Sequence, residues 1–260
     1  MAKNQRKPQG GPTEGFWNKP ALMNMTAELL IVLGSAALAW AAVTAIQRLP
    51  VFPLREMVVV GKIGQVTRGQ IEHVARAAVT GNFFTIDLDS ARAAFGKLPW
   101  VRKAEVRRRW PDGIELALEE HVAAARWRPG EGAGASEGRL VNTRGEIFAG
   151  TSDEALPVLS GPEGSAPRLL ERHRDFDAML AAIGRRVEGV ALTAREAWQL
   201  RLEGGLILEL GRDQPKHPLA ERIARFVLHY PAAREAAGIS AGVVDMRYPN
   251  GFALRPDSKS

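Results

Sequence analysis

An uncharged run of eighteen residues, 29 to 46, constrains this chain more than any other feature. It reads LLIVLGSAALAWAAVTAI. As an α-helix it would be about 27 Å long, close to the roughly 30 Å hydrocarbon core of a bilayer. A helix buried in a soluble core rarely lacks a polar face over about five turns. The run therefore favours a single membrane-spanning helix at residues 29–46.

A cleavable signal peptide is the main alternative, because Val-Thr-Ala at 43–45 offers small residues to a peptidase. The apolar run is longer than the usual 7–15 residues of such signals, and a tail of 28 residues precedes it. We expect this tail, 1–28, to be disordered, since its first twenty residues are polar and rich in Gly and Pro. Local charge does not decide the orientation: Lys19 precedes the run, while Arg48 and Arg55 follow it.

The net charge of +6 is spread along the chain. Residues 1–46 carry four Lys/Arg and two Asp/Glu, residues 47–121 carry twelve and nine, and residues 122–260 carry nineteen and eighteen. A nucleic-acid-binding protein usually concentrates its positive charge on one face or element, so we expect no nucleic-acid partner. The absence of cysteine excludes disulfides and thiolate metal sites.

Residues 51–121 show the pattern strand, helix, helix, strand, strand. The first strand lies within 54–66, and Thr67 with Gln70 forms a capping box for the first helix. A hairpin with the three-residue loop Pro-Asp-Gly, its glycine left-handed, would place Arg109 opposite Glu115. The arginines at 107–109 are then largely neutralised across the strands. Arg108 falls in the apolar row, and we expect its head to reach solvent near the sheet edge.

Residues 122–256 alternate strand patterns with two amphipathic helical patterns, and residues 257–260 form a tail. The fold class is therefore α+β: one N-terminal transmembrane helix, a small βααββ domain, and a C-terminal mixed β-sheet domain with helices. The chain closes with GVVDMRYPNGFAL, which reads as a strand, a Pro-Asn-Gly turn and a last strand. One strand of this hairpin has no later segment to pair with, so we expect an open sheet edge.

Several segments of the sequence resemble known protein families. The first domain resembles a POTRA domain (a polypeptide-transport-associated module) through VVVGK, NFFTIDL and LPWVRKAEVRRRWPDGIELALEEHVAAARW, although Val122 stands where that pattern often has Pro. The chain from about 29 to 255 resembles the bacterial FtsQ/DivIB cell-division family through LPVLSGPEGSAPRLL, LTAREAWQLRL, LELGR, ERIARFVLHYP and VVDMRYPNGFAL.

This resemblance implies a non-catalytic scaffold that connects early and late cell-division proteins. It implies a single-pass type II protein of the cell inner membrane at the division septum, with residues 1–28 cytoplasmic and domains 51–121 and 122–256 periplasmic. The implied partners are FtsB and FtsL, with FtsW, FtsI and FtsK of the divisome. The implied mechanism is addition of a partner strand to the C-terminal sheet edge.

The family's partner-contacting positions match Arg195, Arg247, Tyr248, Asn250 and Gly251. Position 250 has Asn where the family can have Ser, and the ending LRPDSKS lacks the late aromatic residue of some members. Asn-Gly is also a turn signal by itself. If the N–H of Ala253 faces the partner, a proline there removes a ladder donor.

Two other functions remain open from the residues alone. POTRA domains also occur in protein-transport and outer-membrane assembly components, but a barrel needs many strands of about ten residues. A membrane-anchored cell-wall hydrolase is the other alternative. The five histidines show no HExxH spacing, and no Walker or Ser-x-x-Lys motif occurs. We therefore expect no catalysis, cofactor or metal site.

Overall fold

The computed structural model describes residues 20–48, 53–130, 138–237, 242–248 and 250–256. Helix α1, Pro20–Arg48, contains the eighteen-residue apolar run and is long and apolar enough to cross a membrane. Residues 20–28, predicted as disordered tail, are helical, which corrects that prediction. Pro20 suits the first turn of a helix, and the Ala, Leu and Met residues after it are strong helix formers. Residues 1–19 and 257–260, predicted as tails, lie outside the described residues.

The first folded unit has the predicted order strand, helix, helix, strand, strand. Its three strands form a sheet in the order β1-β3-β2, in which β1 runs parallel and β2 antiparallel to β3. The capping box is present: Gln70 N donates to Thr67 Oγ1 at 3.3 Å, and Thr67 N donates to Gln70 Oε1 at 2.9 Å. The elements are β1 (Glu56–Val60), α2 (Arg68–Ala78), α3 (Leu88–Phe95), β2 (Val101–Arg109) and β3 (Gly113–Glu120).

The β2–β3 hairpin has the predicted three-residue length but is displaced by one position. Its loop is Trp110–Asp112, with a cis Trp110–Pro111 bond, and Gly113 is already the first residue of β3. Gly113 is therefore not in the left-handed conformation. Arg107, rather than Arg109, lies opposite Glu115. Because the pairing moves by two residues, the faces stay as predicted, and the apolar row of β3 is buried.

Arg107 and Arg108 have other partners than those predicted. Arg107 pairs with Glu105 of its own strand at 2.7 Å. The Arg108 guanidinium folds onto the α2–α3 connection and donates to the carbonyl oxygens of Phe83 and Ile86 at 2.8 and 3.0 Å. Arg108 is exposed at the sheet edge, as predicted, and it also fastens this connection to β2. Carbonyl oxygens are partial negative charges, so they satisfy a guanidinium without a carboxylate.

The second unit is a nine-stranded sheet with two helices on one face. The strand order is β12-β11-β10-β9-β8-β7-β4-β5-β6. Its core fills the space between the sheet and helices α4 and α5, with Phe176, Trp198 and Phe226 among the fully buried side chains. The elements are β4 (Ala123–Pro129), β5 (Arg139–Asn142), β6 (Ile147–Ala149), β7 (Val158–Gly161), α4 (Ala166–Leu180), a 3-10 turn (Ala181–Ile183), β8 (Val187–Leu192), β9 (Ala197–Leu202), β10 (Ile207–Arg212), α5 (Leu219–Ala237), β11 (Gly242–Asp245) and β12 (Ala253–Pro256).

Aromatic side chains join the two units. The His121 ring, just after β3, stacks on Phe148 of β6 with centroids 4.2 Å apart, and Trp100 contacts Phe148 edge-on at 5.1 Å. The buried Asn142 side chain hydrogen-bonds to His121 Nδ1 at 2.9 Å and donates to Glu146 at 2.6 Å. These contacts leave the opposite end of the nine-stranded sheet, at β12, as the edge remote from the junction.

Candidate partner-binding site

Strand β12 forms one edge of the nine-stranded sheet. It pairs antiparallel with β11, and Asp245 lies opposite Ala253. Strand β11 in turn runs parallel to β10, with Glu209 opposite Asp245. Among the described strands β12 has β11 as its one neighbour, so its outer side is the open edge that the terminal hairpin predicted.

The register shows which backbone groups face this open edge. Met246 N donates to Glu209 O of β10 at 2.9 Å. Successive residues of a strand direct their N–H and C=O groups to alternate sides, so those of Asp245 point at β12. Its partner Ala253 must then direct its own groups back at β11. Leu254, one residue on, directs its N–H and C=O outward.

The prediction for a proline at Ala253 required the N–H of that residue to face the partner, and this requirement is not met. Its N–H belongs to the β11–β12 ladder and does not face a partner. The outward donor and acceptor belong to Leu254, while Pro256, also outward, has a carbonyl but no N–H. A partner strand laid along β12 meets a short stretch of backbone centred on Leu254.

Apolar contacts on the helix side hold the hairpin in place. Leu254 lies opposite the fully buried Val244 and packs against the main core. Phe252, before β12, contacts the ring of Phe226 on α5 at a centroid distance of 5.7 Å. These contacts fix β12 before any partner arrives, which lowers the ordering cost of strand addition.

An ion-pair cluster occupies the opposite face of β11 and β12. The buried Asp245 carboxylate accepts hydrogen bonds from Arg247 Nε at 2.8 Å and Nη2 at 2.6 Å, and Arg255 Nη2 lies 3.6 Å away. Glu209 of β10 adds a second carboxylate, 3.3 Å from Arg255 and 3.6 Å from Arg247. Two cations and two anions, from three strands and the β11–β12 connection, thus meet beside the edge.

The protonation states of this cluster are set by hydrogen bonding. Hydrogen bonds from the Arg247 side chain hold the pKa of Asp245 below its ordinary value, against the opposing effect of burial. The same contact raises the pKa of the Arg247 guanidinium. Asp245 is therefore a carboxylate near neutral pH, and it fixes the head of Arg247 in one orientation next to the β11–β12 connection.

The β11–β12 connection carries the remaining matched positions. The Tyr248 side chain is 57% exposed, and Asn250 is exposed. Gly251 is half-buried, its φ lies outside the left-handed region, and no atom stands within 4 Å of where a Cβ would be. The connection spans 246–252, so the predicted Pro-Asn-Gly turn is a wider loop and not a two-residue Asn-Gly turn. Pro249 lies outside the described residues.

Arg195 lies at the same end of the sheet, in the turn between β8 and β9, and is exposed. Strand β9 begins opposite the end of β10, which runs parallel to β11. The β8–β9 turn and the β11–β12 connection therefore project from one sheet end, about three strand spacings or roughly 14 Å apart. A partner must span this distance to touch Arg195 and Tyr248 together.

Besides the predicted Arg247, four residues shape this surface that were not among the predicted site residues. Asp245 and Arg247 are two apart, which is the spacing of neighbours on one face of a strand, and that signal could have identified the pair. Glu209 and Arg255 could be assigned only once the order of strands was known. Leu254 reads in sequence as an ordinary core residue, although its backbone is the open part of the edge.

Acidic and histidine side chains do not form a metal site in the described parts of the chain. The geometry offers instead a fixed strand edge with exposed backbone hydrogen-bonding groups, an exposed tyrosine and oriented guanidinium groups. Such an arrangement can bind an extended peptide by adding it to the sheet.

Comparison with known families gives two matches along the chain. Residues 52–121 match the model of the POTRA domain, FtsQ-type. Residues 125–247 match the model of the cell division protein FtsQ/DivIB, C-terminal. The second match ends at Arg247, so Tyr248, Asn250 and Gly251 lie beyond it.

Comparison with curated proteins gives relatives that match over most of the chain. A cell division protein FtsQ of Nitrosospira multiformis is 38% identical, with 92% of this chain and 99% of the relative covered. The FtsQ protein of Burkholderia pseudomallei is also 38% identical, covering 92% and 94%. The FtsQ protein of Escherichia coli is 32% identical, covering 86% and 79%.

Proposed function

The chain belongs to the FtsQ/DivIB family of bacterial cell-division proteins, and from that premise we propose that it is a non-catalytic scaffold of the divisome. In this proposal α1 anchors the chain in the cell inner membrane. The sheet domains then lie in the periplasm at the division septum, where they connect early and late division proteins.

The open edge of β12 is the observation that carries this proposal. Its outward N–H and C=O groups belong to Leu254, and apolar packing of Phe252 and Leu254 holds the strand in position. A periplasmic segment of FtsB, accompanied by FtsL, adds to this edge as a further strand. FtsW, FtsI and FtsK are the further divisome partners proposed from the family.

The side chains around the edge supply specificity in this proposal. Tyr248 offers an exposed aromatic ring, and tyrosine and arginine are the residues that dominate many interfaces. Arg247 and Arg195 would attract carboxylates of the partner segment, and Asn250 with Gly251 would let its backbone approach closely. An acidic segment that contains a short β-strand fits this surface.

Depletion and co-purification test the scaffold function. When the chain is depleted in its source bacterium, we expect long, undivided cells, and a plasmid copy should restore division. Affinity-tagged full-length chain extracted in mild detergent should bring FtsB with it. Normal division after depletion, together with a tagged chain that recovers no FtsB, would contradict the proposal.

Reporter fusions test the proposed orientation. A reporter active only in the periplasm should be active when fused after Ser260, and a reporter active only in the cytoplasm should be silent there. Fusions after Pro20 should give the opposite pattern and serve as the matched control. Activity of the cytoplasmic reporter after Ser260 would overturn the localisation.

Cell-wall cutting separates the scaffold from a membrane-anchored hydrolase. Purified full-length chain should release no soluble fragments from isolated peptidoglycan, in parallel with a known hydrolase that does. Release of fragments by the chain would restore the hydrolase alternative.

A further inference from the structure

Two exposed aromatic side chains lie at one end of the three-stranded sheet. Trp110, in the β2–β3 hairpin loop, is 83% exposed, and Phe84, in the connection between α2 and α3, is 44% exposed. Single exposed apolar residues are common on soluble proteins. Trp110 and Phe84 are less ordinary, because both lie at the end of the sheet where the chain leaves α1.

The pairing of β1 places the hairpin loop beside the exit of the membrane helix. α1 ends at Arg48, and the chain enters β1 at Glu56. β1 is parallel to β3 with Glu56 opposite Gly113, so the loop before Gly113 lies at the end of the sheet where β1 begins. The backbone N–H of Arg55 donates to the carbonyl oxygen of Asp112 at 2.9 Å, which confirms this proximity.

The α2–α3 connection touches α1 directly. The side-chain amide of Asn82 donates to the carbonyl oxygen of Gln47 at 2.6 Å. Asn82 also forms an isolated antiparallel β-bridge with Pro53. Gln47 follows Ile46, the last residue of the uncharged run. In a bilayer the end of such a run lies where hydrocarbon meets the headgroups. Asn82 is therefore at headgroup level, and Phe84 is two residues away.

Arg108 joins the two aromatic positions into one surface. Its guanidinium donates to the carbonyl oxygens of Phe83 and Phe84 at 2.8 and 3.3 Å, while its backbone lies two residues before Trp110. The hairpin loop and the α2–α3 connection thus cannot move independently. Arg109, between Arg108 and Trp110, is exposed.

We propose that Phe84, Arg109 and Trp110, called here the aromatic surface, dock on the same phospholipid bilayer that α1 crosses. Tryptophan is enriched at headgroup level because its ring is apolar at one end and donates an N–H at the other. The Arg109 guanidinium contacts anionic headgroups at the membrane surface. Docking restrains the orientation of the first domain, and so the position of the β12 edge above the membrane. The inference rests on the membrane anchor and on no other part of the proposed function.

Spin labels measure this contact directly, because the chain has no cysteine and one introduced cysteine carries one label. The label site is Arg109→Cys, and the matched control is Lys62→Cys, an exposed position just past the other end of β1. Each full-length variant is placed in lipid nanodiscs of phosphatidylcholine and phosphatidylglycerol at 3:1, in one preparation with one chain per disc and in a second with two. The readout is the accessibility of the label to oxygen, which concentrates in the bilayer, relative to a water-soluble nickel chelate.

The oxygen-to-nickel ratio should be several-fold higher at position 109 than at position 62. Adding F84S and W110S should lower the ratio at 109 to that of the control. W110S alone should lower it in part and leave thermal melting unchanged, because Trp110 is 83% exposed. A chain that fails to enter the discs would refute the anchor itself. A chain that enters, with equal ratios at 109 and 62, would overturn the docking alone. A raised ratio confined to discs with two chains would also overturn it, because a second copy would then cover the aromatic surface.

Discussion

Replacing Leu254 by proline removes one backbone donor from the open edge of β12. The outward N–H of Leu254 is lost, and the inward hydrogen bonds of Ala253 to β11 remain. Proline is tolerated on an edge strand when the missing N–H faces solvent, and the preceding residue is already extended. The free chain should therefore keep its fold, while a partner strand loses the donor for one of its carbonyl groups.

The matched control is Leu254→Ala, which loses the same half-buried side chain and keeps the N–H. The difference between the two variants isolates the hydrogen bond. A partner carbonyl left without a donor inside an interface costs about 1–3 kcal/mol. The Leu254→Pro variant should therefore bind FtsB about 5- to 150-fold more weakly than Leu254→Ala.

Proline at Ala253 gives the opposite pattern, because that N–H points at β11. The Ala253→Pro variant should lose a ladder bond within the chain and melt at a lower temperature than the parent. Binding is measured by titration calorimetry of a synthetic periplasmic FtsB segment into full-length chain in detergent micelles. Thermal melts of all variants are run in the same buffer.

The orientation of the edge is wrong if the two proline variants exchange behaviour. Strong destabilisation by Leu254→Pro with little effect of Ala253→Pro would place the Ala253 N–H on the outside. Equal affinities of Leu254→Pro and Leu254→Ala, with both variants folded, would refute strand addition at this position.

Three further predictions concern side chains and charge. Tyr248→Ala should lose roughly 2 kcal/mol or more of FtsB binding, a typical cost at an interface hot spot. The variant should melt normally because Tyr248 is 57% exposed. If calorimetry shows parental affinity, the binding site lies nearer Arg195. Asp245→Asn should lower the free energy of unfolding by about 1 kcal/mol at pH 7, since Arg247 is largely exposed. Because the folded-state pKa of Asp245 is lowered, this contribution should be constant above about pH 5 and should fade as the pH drops below the ordinary carboxyl value of about 3.9. Urea titrations of parent and variant across this pH range measure it. A difference in unfolding free energy that does not change with pH would be inconsistent with the ion pair. The chain should bind duplex DNA only weakly and with steep salt dependence. Sub-micromolar, sequence-selective binding in a mobility-shift assay at physiological salt would contradict the expectation that the chain has no nucleic-acid partner.

Local patterns were sufficient for the membrane helix and for the order of helices and strands in the first domain. The uncharged run predicted α1, and the Thr67–Gln70 spacing predicted the start of α2, because both features depend on neighbours in sequence. The hydrophobic alternation around the β2–β3 hairpin predicted the correct faces. It could not fix the register, since a displacement of two residues leaves every face unchanged.

Long-range contacts could not be predicted in the same way. Arg108 is an exposed cation, but its carbonyl partners could not be predicted because they belong to residues about 25 positions earlier. Asn250-Gly251 carries a strong local turn signal, but the contact of Phe252 with Phe226 just before β12 joins residues 26 positions apart and has no local signal. The tail before Leu29 looked disordered from its Gly and Pro residues, which are concentrated before Pro20.

The candidate partner-binding site was predicted through family resemblance and not from local chemistry. Arg247 and Tyr248 follow directly from that resemblance. The carboxylates of Asp245 and Glu209, which orient Arg247, depend on strands β10 and β11 lying side by side. The outward N–H and C=O of Leu254 depend on which residues of β12 hydrogen-bond to β11. The pattern of apolar and polar side chains does not indicate this.

Cysteine-pair crosslinking along β12 tests strand addition most directly, because the parent chain has no cysteine. Single cysteines at Ala253, Leu254 and Arg255 are each combined with single cysteines at successive positions of the FtsB segment, and disulfide yield is measured in mildly oxidising buffer. Strand addition predicts a diagonal ladder, in which moving one residue along β12 moves the preferred FtsB position by one residue. Uniformly low yields along β12, with strong crosslinks from cysteines placed in the POTRA domain, would contradict it.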